Sequence, residues 1–219
     1  MRPDLKDLLA AEAEKFSAQI GDAELSLFGG FLSLILKYNE KLSLTGIDDE
    51  DGIVAKHFID SLAAHKFLDD SWFVLDIGSG MGCPGLALKI ARPSLRMILL
   101  ESNHKKAAFI NQAIRALGLQ DARAVAERAE NRVFQGSIAG RVDAVISRAM
   151  GKLDLLSELA SPYLKQGGRL IAYKGSSAER ELLESGKALT RNGFAEKEIF
   201  KYKLPFGAGD RALIILEKV

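Results

Sequence analysis

The stretch Val74-Leu75-Asp76-Ile77-Gly78-Ser79-Gly80-Met81-Gly82-Cys83-Pro84-Gly85 decides how the rest of the chain is read. Phe73 to Ile77 are apolar apart from Asp76, which is the composition of a buried strand, and three glycines follow it at alternate positions. Pro84 suits the first turn of a helix, where its missing N–H leaves no bond unmade. Strand, glycine turn and helix in that order make a cradle at the carboxyl end of a strand, because glycine tolerates positive φ and lets a ligand approach the backbone. Two patterns are satisfied at once. Gly80-x-Gly82-x-x-Gly85 is the dinucleotide fingerprint, and Asp76-x-Gly78-x-Gly80-x-Gly82 is that of the S-adenosylmethionine loop.

Downstream, short apolar runs alternate with longer amphipathic ones, the signature of βαβ units around a parallel sheet. Strands are predicted at 73–77, 96–100, 122–126, 143–147 and 169–173. Helices are predicted at 85–91, 105–117, 154–164 and 177–191, with a short connection over 127–140. Two last strands, 195–202 and 212–218, are joined by Pro205-Phe206-Gly207-Ala208-Gly209, too short for a helical crossover, so they should be antiparallel. One sheet with an antiparallel end and no second mononucleotide-binding half favours the S-adenosylmethionine reading over a nicotinamide oxidoreductase. Glu101, ending the second strand, is placed to accept from the two ribose hydroxyls of an adenosine. Asp76 is expected to order the glycine loop through backbone N–H groups.

Upstream of the loop the pattern is helical. Leu5, Leu8, Leu9, Ala13, Phe16 and Ile20 form one stripe, and Leu25, Phe28, Phe31, Leu32, Ile35 and Tyr38 a second, interrupted by Gly29-Gly30. A loop around Thr45 to Asp51 precedes a third helical pattern over 57–67. The expected organisation is an N-terminal helical extension, 1–70, and a cofactor-binding domain, 71–219.

The 219 residues carry 30 Lys and Arg against 29 Asp and Glu, a formal net charge of +1. That balance is a cancellation. Residues 1–70 hold 7 basic and 14 acidic side chains, and residues 71–219 hold 23 and 15. A phosphate-binding face is therefore expected on the later segment. Cys83 is the single cysteine and there are three histidines, so neither an intramolecular disulfide nor a metal constellation is expected. Cys83 enters the first helix facing the cofactor, which argues against a covalent thiolate nucleophile. No apolar run approaches the roughly 20 residues of a membrane helix, and a cytoplasmic monomer is expected.

The glycine loop together with Asn39…Leu44-Thr45, His57…Asp60-Ser61, Ser147-Arg148-Ala149 and Tyr173-Lys174-Gly175 resembles the ribosomal RNA small subunit methyltransferase G family, also called glucose-inhibited division protein B. Nearly the whole chain is covered. The resemblance implies a Rossmann-like class I methyltransferase: a seven-stranded, mostly parallel sheet with an antiparallel last strand and an N-terminal helical extension. It implies methyl transfer from S-adenosylmethionine to N7 of one guanine in 16S ribosomal RNA or the small-subunit particle. By position, Gly78 and Cys83, with Gly80 and Gly82 of the same loop, would hold the cofactor. Ala129 and Glu130 would flank its adenine, and Arg148 would stand at the methyl-transfer end and orient the guanine. Asn39, His57 and Lys174 are candidates for RNA contact. Ser43 and Lys56 depart from the Asn and Arg usual in the family. Against this stands a non-catalytic assembly factor that keeps the cofactor loop.

Overall fold

The structure is a computed structural model that describes residues 1–148 and 150–219. Seven strands form one sheet in the order β3-β2-β1-β4-β5-β7-β6. β1 (Phe73–Ile77), β2 (Arg96–Leu100), β3 (Ala122–Val125), β4 (Val142–Arg148) and β5 (Leu164–Lys174) run parallel. β7 (Asp210–Lys218) inserts antiparallel between β5 and β6 (Phe194–Lys203), as the short join requires. The order reverses beside β1, so the loop leaving β1 sits at the switch point where open α/β sheets bind ligands. α5 (Gly85–Ala91), α6 (His104–Ala116), α7 (Arg132–Ile138), α8 (Leu153–Ala160) and α9 (Ala178–Arg191) follow the five parallel strands in turn. On the exposed edge of β3, the Asn111 side chain donates to the Ala124 carbonyl at 3.0 Å and accepts from its N–H at 2.9 Å.

Boundaries moved where tertiary contacts overrode pattern. The helix expected over 154–164 ends at Ala160, because Pro162 cannot extend the hydrogen-bond ladder. Leu164 instead opens β5 opposite Val142, ahead of a register shift that absorbs the turn-like Lys165-Gln166-Gly167-Gly168. The connection after β3 holds the short α7.

Three further segments precede the sheet: α1 (Pro3–Glu14), α2 (Asp22–Leu42) and a run from α3 (Glu50–Ile53) through a π-helical segment, Val54–Ile59, into α4 (Asp60–Leu62). α2 is unbroken across Gly29-Gly30. A Cβ on Gly30 would lie 2.9 Å from the Leu117 side chain, so that glycine sets how closely α2 approaches the end of α6. The regular helix expected over 57–67 is replaced by the π segment, α4 and a 3₁₀ turn at His65–Phe67.

One face of the sheet packs into a cluster containing Leu5, Leu9, Phe28, Phe31, Phe58, Leu86, Ile146 and Ile215, which runs unbroken from the N-terminal helices to the strands. Phe31 and Phe58 stack at 5.5 Å between ring centroids. A second cluster, including Leu75, Tyr163, Leu170 and Ile214, fills the other face. Phe31 is fully buried. Phe31→Ala is expected to cost about 3–5 kcal/mol in urea denaturation, and because its cluster spans helices and sheet, far-UV and Trp72 signals should shift together.

Candidate functional site

The loop after β1 is built from the backbone of the neighbouring strand. Gly78 and Ser79 N–H both donate to the Leu100 carbonyl, at 2.9 and 3.1 Å. Gly78 has φ +76°, and the space where a Cβ would stand is taken by the Met150 thioether. Beneath the loop, fully buried Asp76 accepts from Gly85 N–H at 2.9 Å, the ordering role its position suggested. Burial pushes its carboxyl up to about 7. Glu101 grips the loop from β2: one carboxylate oxygen accepts from Gly80 N–H and the other from Asn103 N–H, each at 2.8 Å.

Above this frame opens a cavity of about 210 Å³ lined by Gly78, Glu101, Glu127, Ala129, Glu130 and Met150, among others. Four of the residues singled out in the sequence, Gly78, Glu101, Ala129 and Glu130, thus meet in one place. Tyr163 fixes the far wall, its buried hydroxyl donating to the Ala129 carbonyl at 2.7 Å. The donor set suits S-adenosylmethionine. Glu101 keeps unused lone pairs for vicinal hydroxyls, Gly78 presents bare backbone, and Ala129 leaves room for a planar base. Gly80 and Gly82 shape the loop without lining this cavity.

A second cavity, of about 470 Å³, adjoins the first where Met150 and Gly151 contribute one residue to each. Lys56, His57, Asp60, Arg148, Lys174 and Arg211 stand on its wall. Arg148, at the end of β4, donates to the Lys56 carbonyl at 2.9 Å and to Asp60 at 3.1 Å through Nη1. Nη2 reaches His57 Nδ1 at 2.9 Å and the Cys83 carbonyl at 3.5 Å. Both terminal nitrogens therefore have partners within the protein. Arg148 and Asp60 thus form an ion pair withdrawn from the surface, the Asp60 side chain being 5% exposed. Asp60 also accepts from Tyr202 Oη at 2.7 Å. Ala149 of the quoted Ser147-Arg148-Ala149 motif lies outside the described residues.

Because guanidinium only donates, His57 Nδ1 must accept, which puts the ring proton on Nε2, 2.8 Å from Thr45 Oγ1. Asn39 holds that loop, its side chain accepting from Thr45 N–H and donating to the Ile47 carbonyl. Lys174 is paired with Glu181 at 2.6 Å and donates to the Gly151 carbonyl at 2.8 Å. Cys83 is buried, and burial pushes its thiol up to about 12, so no thiolate is present at neutral pH. Among the described residues no group of three or more His, Cys, Asp or Glu is placed to hold a metal, and no helix is long and apolar enough to cross a membrane. Asp60, Tyr202, Arg211 and Met150 were missed as site residues. Only Asp60 had a signal, its place three residues after His57, and nothing local to Arg148 announces the 88-residue leap between them.

The same fold recurs in solved methyltransferases. TYW2 of M. jannaschii in complex with AdoMet aligns at TM-score 0.61 and 14% identity, with 80% of this chain and 79% of that one covered. A precorrin-6y C5,15-methyltransferase from Geobacter metallireducens gives 0.52 at 17% identity, with 70% of this chain and 83% of that one covered. The fold is therefore the Rossmann-like one of class I methyltransferases. Curated relatives narrow this further. The ribosomal RNA small subunit methyltransferase G of Moorella thermoacetica is 36% identical over 217 residues, 98% of this chain and 90% of its own. That of Brevibacillus brevis is 35% identical over 212 residues, 94% and 89%. The family model for rRNA small subunit methyltransferase G matches residues 24–213, and the chain belongs to that family.

Burial, Arg148 and Lys56 hold His57 well below its ordinary value of 6.5, to about 3. Folded protein keeps the ring neutral where the unfolded chain takes up a proton, so His57 removes stability as pH falls from about 6.5 to 3. Asp76 acts oppositely, since its raised value adds stability below about 7. His57→Asn supplies an acceptor for Arg148 without the titration. Its urea midpoint relative to the parent is expected to rise steadily as pH is lowered from 7 to 4.5.

Proposed function

We propose that the protein transfers a methyl group from S-adenosylmethionine to N7 of one guanine of 16S ribosomal RNA, acting as a monomer on the small subunit in the cytoplasm. The observation that carries this reading is the pair of adjoining cavities: an adenosine-sized one walled by Gly78, Glu101, Ala129 and Glu130, and a wider, cation-rimmed one at Arg148. Membership of the methyltransferase G family supplies the ribosomal substrate.

When bound, the cofactor offers an electrophilic methyl on a sulfonium. Guanine N7 carries a lone pair and no proton at neutral pH, so the chain needs no general base. None is offered at the junction of the cavities: His57 has its nitrogens engaged by Arg148 and Thr45, and Asp60 its oxygens by Arg148 and Tyr202. What remains for the residues is to hold, orient and exclude water, an effect that reaches about 7–11 kcal/mol in well-aligned systems. Glu101 and the glycine loop fix the adenosine. Arg148, locked by its four partners, gives the guanine pocket a rigid wall, exposed Lys56 stands at its mouth for phosphate, and Lys174, held by Glu181, completes the wall behind it.

Gly80 has φ +58° and donates to Glu101. Gly80→Asp places a carboxylate beside another and forces a side chain into left-handed backbone. Calorimetry should show S-adenosylhomocysteine binding by the parent, none by Gly80→Asp, and no binding of NADH by either. With labelled cofactor and small subunits from cells lacking the enzyme, label is expected at one guanine, as the N7-methyl base. Label elsewhere, or none, would sink the proposal.

A further inference from the structure

We propose that the tip of the β6–β7 hairpin is a base-stacking finger: Phe206 packs against an unpaired base of the RNA strand that flanks the target guanine. This rests on the RNA methyltransferase reading and assigns part of its substrate-binding surface. β5 ends beside the start of β7, with Lys174 opposite Ala212, so the hairpin turn projects from the same sheet edge as the glycine loop. Phe206 is 65% exposed and is the one aromatic among the large apolar side chains exposed in the described residues.

Its backbone is as unusual as its exposure. Ala208 N–H donates to the Pro205 carbonyl, and the two residues inside that turn, Phe206 and Gly207, have φ +56° and +63°. Hairpins take this form with Asn, Asp or Gly at such positions, because a bulky L-residue is strained there. A strained, solvent-facing ring at the rim of a functional site is a combination that folding alone gives no reason to keep. Stacking gives one, since every base has a π-face and single-stranded RNA is commonly held on exposed aromatics beside cations.

The cations are present. At the base of the hairpin a cavity of about 370 Å³ is lined by Lys201, Lys203 and Arg211, and it shares Gly175 and Arg211 with the Arg148 cavity. Lys201 pairs with Glu179 and Lys203 with Asp210, but all four side chains are more than 60% exposed. Such pairs exchange readily for phosphate. A strand lying along this track from Arg148 would carry its next bases toward Phe206.

The test is a pair of substitutions on small subunits that the parent enzyme methylates. Phe206→Asn relieves the turn and removes the ring, so Tm should rise by about 2–4 °C while KM for the particle rises about tenfold, with kcat and S-adenosylhomocysteine affinity unchanged. Phe206→Trp should keep the parent's KM. A photocrosslinker at position 206 should label 16S RNA. An unchanged KM for Phe206→Asn, or crosslinking to a ribosomal protein instead, overturns the proposal. Failure of the parent enzyme to methylate the particles overturns the underlying methyltransferase reading, a separate outcome.

Discussion

A guanidinium largely withdrawn from water must be answered by acceptors, and three separate segments of this chain converge to answer one. Removing a charged group from water costs several kcal/mol unless a counter-charge and good acceptors replace the lost hydration. For Arg148 the answers come from the π segment (the Lys56 carbonyl and His57), from Asp60 just after it, and from the Cys83 carbonyl at the end of the glycine loop. The N-terminal helices, the cofactor loop and the end of β4 are thereby fixed to one point.

The opposed charges of the two halves of the chain find part of their meaning in the same contact. Asp60, from the acidic first 70 residues, faces Arg148, Tyr202 and Arg211 of the later segment. Asp70 meets Arg92 at 2.7 Å and Ser94 at 3.1 Å. Some of the excess acid therefore serves to join helices to sheet. The β6–β7 hairpin keeps Lys201 and Lys203 at the surface.

How much of this was legible in the sequence varied with range. The glycine loop, the strand that feeds it and Glu101 follow local rules of turn geometry and periodicity, and they stand where the pattern put them. Ala129 and Glu130 were placed only by resemblance, since nothing in a four-residue edge strand shows what the chain after it will line. α2 carries Gly30 where the end of α6 needs the room, a fact about Leu117 and not about residue 30. The π segment was invisible for a similar reason: the feature that rewards it, a carbonyl presented to Arg148, lies 92 residues away. Local chemistry spoke clearly, and chemistry assembled across the fold did not.

The amide of Asn111 has a consequence reaching beyond the single molecule. By filling both hydrogen-bonding groups of Ala124, it gives the outer strand a neighbour made of a side chain. A strand from another molecule would have to displace that pairing before it could add to the sheet. One residue on a helix thus guards this edge of the sheet against growth, and the guard is set by the same helix that packs against β2, the strand leading to Glu101.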